Sequence, residues 1–207
     1  MEKTNGGSFS LRGRETLNRR DFAGFLLASP LAVEVAALGG LFALAPTPAC
    51  GEDHHPTPEN GEGPYFKPES PEKADFIEEG ISGERLVLCG KVISTEGTPV
   101  GKALLDFWHA DANGAYDNEG FRLRGHLYAD EEGRFSLQTI IPGAYPGRTR
   151  HIHVKVQAPH GPILTTQVYF PDEPKNETDR LFNPELLMKL RKEEGKTEGT
   201  FDFVVLL

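Results

Sequence analysis

Cysteine and positive charge are both scarce in this chain of 207 residues, and each shortage narrows what the protein can do. Two cysteines leave room for one disulfide at most and say nothing about a metal site. A Cys50–Cys89 bridge is permitted but does not follow from the spacing. Cys89 lies in the apolar segment from Arg85 to Ile93, where a free thiol behaves as a small buried hydrophobe. Lysine and arginine number 22 against 31 acidic residues, a formal charge of −9. That balance excludes nucleic acid as an electrostatic partner. No internal repeat and no low-complexity tract is present, and 38% hydrophobic with 26% charged residues suits one compact domain.

One long apolar run, from about Ala23 to Ala45, follows Asn18-Arg19-Arg20-Asp21-Phe22, a twin-arginine-type export pattern. Pro30, Gly39 and Gly40 make the run a poor membrane-spanning helix, and Pro46-Thr47-Pro48 ends it. Residues 1–49 therefore read as an export signal and cleavage region, cut after Ala43-Leu44-Ala45 or Thr47-Pro48-Ala49. The expected location is periplasmic or extracellular. Cys50 stands where a lipid-modified cysteine would begin a mature lipoprotein and tether it to a membrane, although Thr47 occupies the usual leucine position. Residues 50–62, with an exposed pair at His54 and His55, read as a flexible linker, and 63–207 as the domain.

Downstream the chain reads as short strands separated by turns, a mainly β pattern that predicts an antiparallel β-sandwich. The expected strands are Leu86–Ser94, Ala103–His109, Arg134–Thr139, His151–Gln157, Ile163–Phe170 and Thr200–Leu207. Asp130-Glu131-Glu132-Gly133 reads as a hairpin turn, and Phe135, Leu137 and Thr139 alternate with polar neighbours. A single helix is expected with Asn183 as N-cap, Pro184 at its first position, Leu186, Leu187 and Leu190 inward, and Gly195 as stop.

The chemistry gathers around Tyr145-Pro146-Gly147-Arg148-Thr149-Arg150-His151-Ile152-His153. On a strand, residues two apart share a face, so His151 and His153 project together while Ile152, Val154 and Val156 face the core. Taken alone, such a pair also describes two solvent-facing histidines. Two loop tyrosines change the weight. Tyr116 follows the turn at Asn113-Gly114, and Tyr145 sits among Pro142, Gly143, Pro146 and Gly147, which fix its direction. Phenolate oxygen beside imidazole nitrogen favours a hard, oxidised metal, Fe(III) above others.

With these residues the chain resembles the intradiol ring-cleavage dioxygenases, the non-haem Fe(III) enzymes that include catechol and protocatechuate dioxygenases. The resemblance runs from Gly63-Pro64-Tyr65-Phe66 through Trp108-His109-Ala110-Asp111 with Gly114 and Tyr116. It continues through Pro142-Gly143 with Tyr145, then Arg148, His151-Ile152-His153 and Thr166-Gln167-Val168-Tyr169-Phe170. It implies Fe(III) held by Tyr116, Tyr145, His151 and His153, with Tyr145 leaving the iron and taking a substrate proton. It further implies Arg148 stabilising charge on the substrate ring and Gln167 hydrogen-bonding beside it. The implied reaction converts a catechol-type diol and O2 to a muconate-type dicarboxylate on a β-sandwich core.

Two departures from the family pattern stand out. Residues 46–85 contain no long amphipathic helix of the kind catechol-specific members use to dimerise, and the oligomeric state is not legible. The stretch from Tyr145 to His151 is also short, which implies a more open pocket. Two rival readings remain. One is an exported, non-catalytic transthyretin-like module binding carbohydrate or a surface partner, with the tyrosines as packing. The other is a copper or zinc carrier using His109, His151 and His153.

Overall fold

The computed structural model describes residues 54–193 and 195–207, so the expected export signal and the lipidation point at Cys50 lie outside the described residues. Among the described residues nine strands form two packed sheets: β1 Arg85–Ser94, β2 Leu104–Trp108, β3 Arg124–Tyr128, β4 Arg134–Ile140, β5 His151–Gln157, β6 Ile163–Tyr169, β7 Lys189–Glu193, β8 Lys196–Thr200 and β9 Phe203–Val205. One sheet runs β4-β1-β8-β7 with β9 also on β1, and the other runs β3-β2-β5-β6. Among the described residues no helix is long and apolar enough to cross a membrane.

Alternation builds the core. Leu86, Leu88, Val92, Phe135, Leu137 and Phe203 point inward from the five-stranded sheet. Leu105, Phe107, Ile152, Val154 and Val156 meet them from the four-stranded one. Phe135 joins the layers, its ring centroid 5.9 Å from Phe107 and 5.6 Å from Phe203. Each such side chain moves about 1.5–3 kcal/mol of apolar surface out of water, which outweighs the preferences of the loops between.

Four local expectations meet a different structure. The turn at Asp130–Gly133 forms, with Asp130 Oδ1 accepting the Glu132 and Arg134 amides at 3.0 and 2.8 Å. It carries the chain from one sheet to the other, however, because β3 pairs with β2 and β4 with β1. The sandwich is not wholly antiparallel: β8 and β9 lie parallel to β1. Parallel pairing joins strands through long connections, so no local turn signal announces it. β3, β7 and β8 are absent from the expected strands, and the expected helix shrinks to one 3-10 turn at Pro184–Leu186. Asn183 does cap it, accepting the Glu185 amide at 3.0 Å. Beyond it, buried Leu186 and Met188 alternate with Leu187 and Lys189, a period of two that outweighs the capping signal. Leu190 lies on β7, and Gly195, at φ +83°, turns β7 into β8.

The segment expected as a linker is laid down along the sheets from His54 onward. Its amides donate outward, His54 to Thr95, Thr57 to Val204 and Asn60 to Thr165, at 2.9–3.1 Å. A proline-rich extended segment has no internal partners, and sheet edges supply them. His54 is half-buried and His55 exposed. The chain then passes Glu72 beside His126 and continues to Phe76, whose side chain is fully buried.

Register sets the outer face of the four-stranded sheet in rows. Arg124, Trp108, His153 and Gln167 form one row and His126, Asp106, Lys155 and Thr165 the next. Tyr128, Leu104, Gln157 and Ile163 form the last. The first row is buried throughout, whereas Tyr128 and Ile163 are 53% and 51% exposed.

Candidate metal centre and active site

The buried row carries the chemistry. His151 and His153 sit on the outward face of β5, yet they are 3% and 1% exposed, which removes the reading of two solvent-facing histidines. Their rings meet edge to face and their Nε2 atoms lie 3.1 Å apart. His151 Nδ1 donates to the Thr149 carbonyl at 2.7 Å, so its Nε2 presents a lone pair. The Trp108 indole lies flat against His153, centroids 4.8 Å apart and planes within 5°.

The two phenols arrive on loops that are pinned together. Asp111 shapes the first loop: its Oδ1 accepts the Asn113 and Ala115 amides at 2.8 and 2.9 Å. Its carbonyl accepts the Gly143 amide of the second loop at 2.7 Å. Gly114, at φ +86°, passes so close that a Cβ would meet the Ala144 carbonyl at 2.9 Å. Tyr116 and Tyr145 thereby stand 5.9 Å apart, ring centre to ring centre, and the Tyr145 hydroxyl lies 3.4 Å from His151 Nε2. Tyr65 stacks on Tyr116 at 4.4 Å, and the Arg124 guanidinium lies 5.7 Å from the same ring.

Burial tunes Tyr116 and the two imidazoles. It pushes His151 down to about 4, helped by the charge of Arg148, and holds His153 well below the usual imidazole range. Both rings are thus neutral at neutral pH, the form that binds metal. Burial also raises the Tyr116 phenol, with Tyr145 adding to the effect, so its proton leaves only when a cation takes its place. The Tyr116 hydroxyl and His153 Nδ1 are buried without a hydrogen-bond partner. Among the described residues no three His, Cys, Asp or Glu side chains gather as a metal-holding group, and the donors that stand beside the two imidazoles are the phenols of Tyr116 and Tyr145. Two imidazole nitrogens, an orphaned phenol and a second phenol within reach fit a hard trivalent ion such as Fe(III).

Arg148 and Gln167 stand beside the cluster. Arg148 Nη2 donates to Gln167 Oε1 at 2.5 Å, and Nη1 approaches the Tyr145 hydroxyl at 3.5 Å. Gln167, fully buried, donates onward to the Gly61 carbonyl at 2.5 Å. Burial opposes the Arg148 charge, but Asp179 and the neighbouring phenols hold its pKa above the ordinary value. His109, by contrast, is spent elsewhere. Its ring nitrogens bond the Ala110 carbonyl at 2.8 Å and Thr139 Oγ1 at 2.7 Å, which removes it as a third imidazole ligand. Cys89 is a free, half-buried thiol on β1.

Several site residues carried no assigned role in the sequence. Tyr169, whose hydroxyl lies 3.0 Å from Gln167 Oε1, shares the Gln167 face by the same period of two and was legible on that ground. Tyr65 and Trp108 belong to motifs already singled out, but their stacking depends on loop paths. Asp179 left no signal, being 31 residues from Arg148 in an irregular stretch.

Residues 61–206 match a family described as dioxygenase. Within it, the chain belongs to the intradiol ring-cleavage dioxygenases. It is 29% identical to the 6-chlorohydroxyquinol 1,2-dioxygenase of Cupriavidus pinatubonensis, over 69% of this chain and 62% of that one. It is 36% identical to the protocatechuate 3,4-dioxygenase beta chain of Burkholderia cepacia, over 48% of this chain and 50% of that one. The chain therefore spans between half and two thirds of these curated relatives. A dioxygenase domain from a dioxygenase carbohydrate-binding protein fusion of Streptomyces sp. SirexAA-E is 53% identical with a TM-score of 0.72, covering 74% of this chain and 99% of that domain.

Proposed function

We propose that this protein binds Fe(III) through Tyr116, Tyr145, His151 and His153 and cleaves a catechol-type diol with O2 between its two hydroxylated carbons, releasing a muconate-type dicarboxylate. The observation that carries the reading is the approach of two buried imidazole Nε2 atoms to 3.1 Å beside two phenols. Bound Fe(III) would supply a Lewis-acidic centre able to hold both oxygens of the diol. Around it, each residue has a defined task. The Thr149 carbonyl and the Trp108 ring keep the two imidazoles in orientation. Tyr145, whose hydroxyl lies 3.4 Å from His151 Nε2 and 3.5 Å from Arg148 Nη1, is the phenol placed to turn aside and accept a diol proton. Tyr116, stacked under Tyr65, is the one held in place. Arg148 Nη1 faces the Tyr145 hydroxyl, where it stabilises negative charge on the bound ring.

The relatives named for catechol, chlorocatechol, hydroxyquinol and protocatechuate support a catechol-type diol as the substrate class. Candidate substrates are catechols derived from plant phenolics, protocatechuate and hydroxyquinol. A non-catalytic sandwich module has no use for two neutral imidazoles and two phenols enclosed together. We also propose export through the Arg19-Arg20 leader; lysine at both positions should strand the protein in the cytoplasm, and unchanged export would refute it.

The test is a visible spectrum of the iron-supplied protein before and after anaerobic addition of catechol, followed by oxygen uptake. A red-brown phenolate band that moves to longer wavelength, with consumption of O2 and formation of a dicarboxylate, is expected. A colourless iron-supplied protein would overturn the reading.

A further inference from the structure

We propose that Asp179 is the positioning residue for Arg148, fixing which edge of the guanidinium faces the substrate ring; the proposal rests on the catechol-cleavage reading above. The Asp179 carboxylate is 1% exposed although it sits in an irregular stretch between two 3-10 turns, Pro174–Glu177 and Pro184–Leu186. Donors surround it. Oδ1 accepts the Leu181 amide at 2.9 Å, and Oδ2 accepts the Thr149 amide at 2.9 Å. Arg148 Nε reaches both oxygens, at 3.2 and 2.9 Å. On the next edge, Nη2 is held by Gln167 Oε1 at 2.5 Å. A guanidinium is planar and rigid, so fixing Nε and Nη2 fixes Nη1 as well. Nη1 is then the one nitrogen left for substrate, its contact being the Tyr145 hydroxyl at 3.5 Å.

The same carboxylate reaches the metal side. Its partner Thr149 carries the carbonyl that orients His151. Gln167 in turn is held by the Gly61 carbonyl, and Asn60 bonds the Leu181 carbonyl at 2.8 Å. Arg148 is therefore aimed by residues from the N-terminal segment, β6 and the stretch after the first 3-10 turn. Asp179 alone among them supplies a charge.

Asp179→Asn preserves shape but turns one acceptor into a donor facing only donors. In the iron-loaded full chain, kcat on catechol should fall about 10- to 100-fold while KM stays within about threefold. Iron content should be unchanged, because the Thr149 carbonyl that orients His151 is not the group that loses its acceptor; loss of iron would mark a general loosening of the site. A second readout needs neither iron nor turnover: the Arg148 Nε–H resonance of the metal-free protein, assigned through Arg148→Lys. It should exchange slowly with water in the parent and lose that protection in Asp179→Asn. If Asp179→Asn does not fold, Asp179→Glu keeps the charge and displaces it, and should bind iron with reduced kcat. Either variant with kcat within about twofold of the parent and a protected Arg148 resonance overturns the proposal. If the parent itself cleaves no catechol, the reading above fails, and the resonance alone decides the role of Asp179.

Discussion

The two sheets present outward faces of opposite character built on the same alternation. On β4, Arg134, Ser136 and Gln138 face water, and the inward Phe135 and Leu137 do the work of the core. On β5 the outward His151 and His153 are as buried as Ile152 and Val154. The difference lies in what covers each sheet. Residues 58–73 and the loops bearing Tyr116, Tyr145 and Asp179 lie over one end of the four-stranded sheet, so an ordinary solvent face becomes a second interior. That interior is polar, and its groups are orphaned or paired with one another instead of with water. A sandwich thus separates stability, held between the sheets, from chemistry, held outside one of them.

The sharpest break of this contrast is His153→Ala. It should abolish the iron-dependent band and lower catechol cleavage by roughly 10³-fold or more, the equivalent of several kcal/mol of charge stabilisation. The urea midpoint of the metal-free protein should move little, and a large loss of stability there would undo the separation. Leu137→Ala is the converse. Fully buried between the sheets, it should cost about 2–5 kcal/mol in denaturant titration, with kcat per folded molecule unchanged.

Acid sharpens the comparison because buried imidazoles lie on both sides of β5 and its neighbours. His109 and His151 titrate at about 4 in the fold against 6.5 in the free side chain. The unfolded chain therefore takes up protons first, and stability present above about pH 6.5 is lost as pH falls towards 4, by up to about 1.4 kcal/mol per pH unit for each histidine. Urea midpoints of the metal-free protein across that window measure the loss. Bound iron should delay the His151 share to lower pH and leave the His109 share in place. At the small end, Arg134→Ala on the exposed face should leave both activity and the urea midpoint unchanged within error, despite its contacts with Asp130 and Glu132.

The strands and the donor pair were legible because a period of two announces itself over a few residues. His151 and His153, and Phe135 with Leu137, were read from alternation alone. Tyr116 and Tyr145 were readable from turn chemistry, and their convergence from ordered motifs. What escaped was non-local. The parallel pairing of β8 and β9 with β1 and the sheet change at Asp130–Gly133 depend on partners far along the chain. At Asn183 the sequence did speak locally, through a cap and a proline, and tertiary alternation at Leu186 and Met188 prevailed. Asp179 was silent because an aspartate in a polar loop has the same appearance whether it faces water or an arginine.

The N-terminal strap has a consequence for biogenesis. Thr57 bonds Val204, and Asn60 bonds Thr165 and the Leu181 carbonyl. During synthesis these early residues emerge long before the strands and loop they bind, and loop-closure entropy opposes holding them in place without those partners. The roof over the candidate metal centre is thus finished only after β6 and Leu181 are made, and the proposed ligand pocket stays open until then.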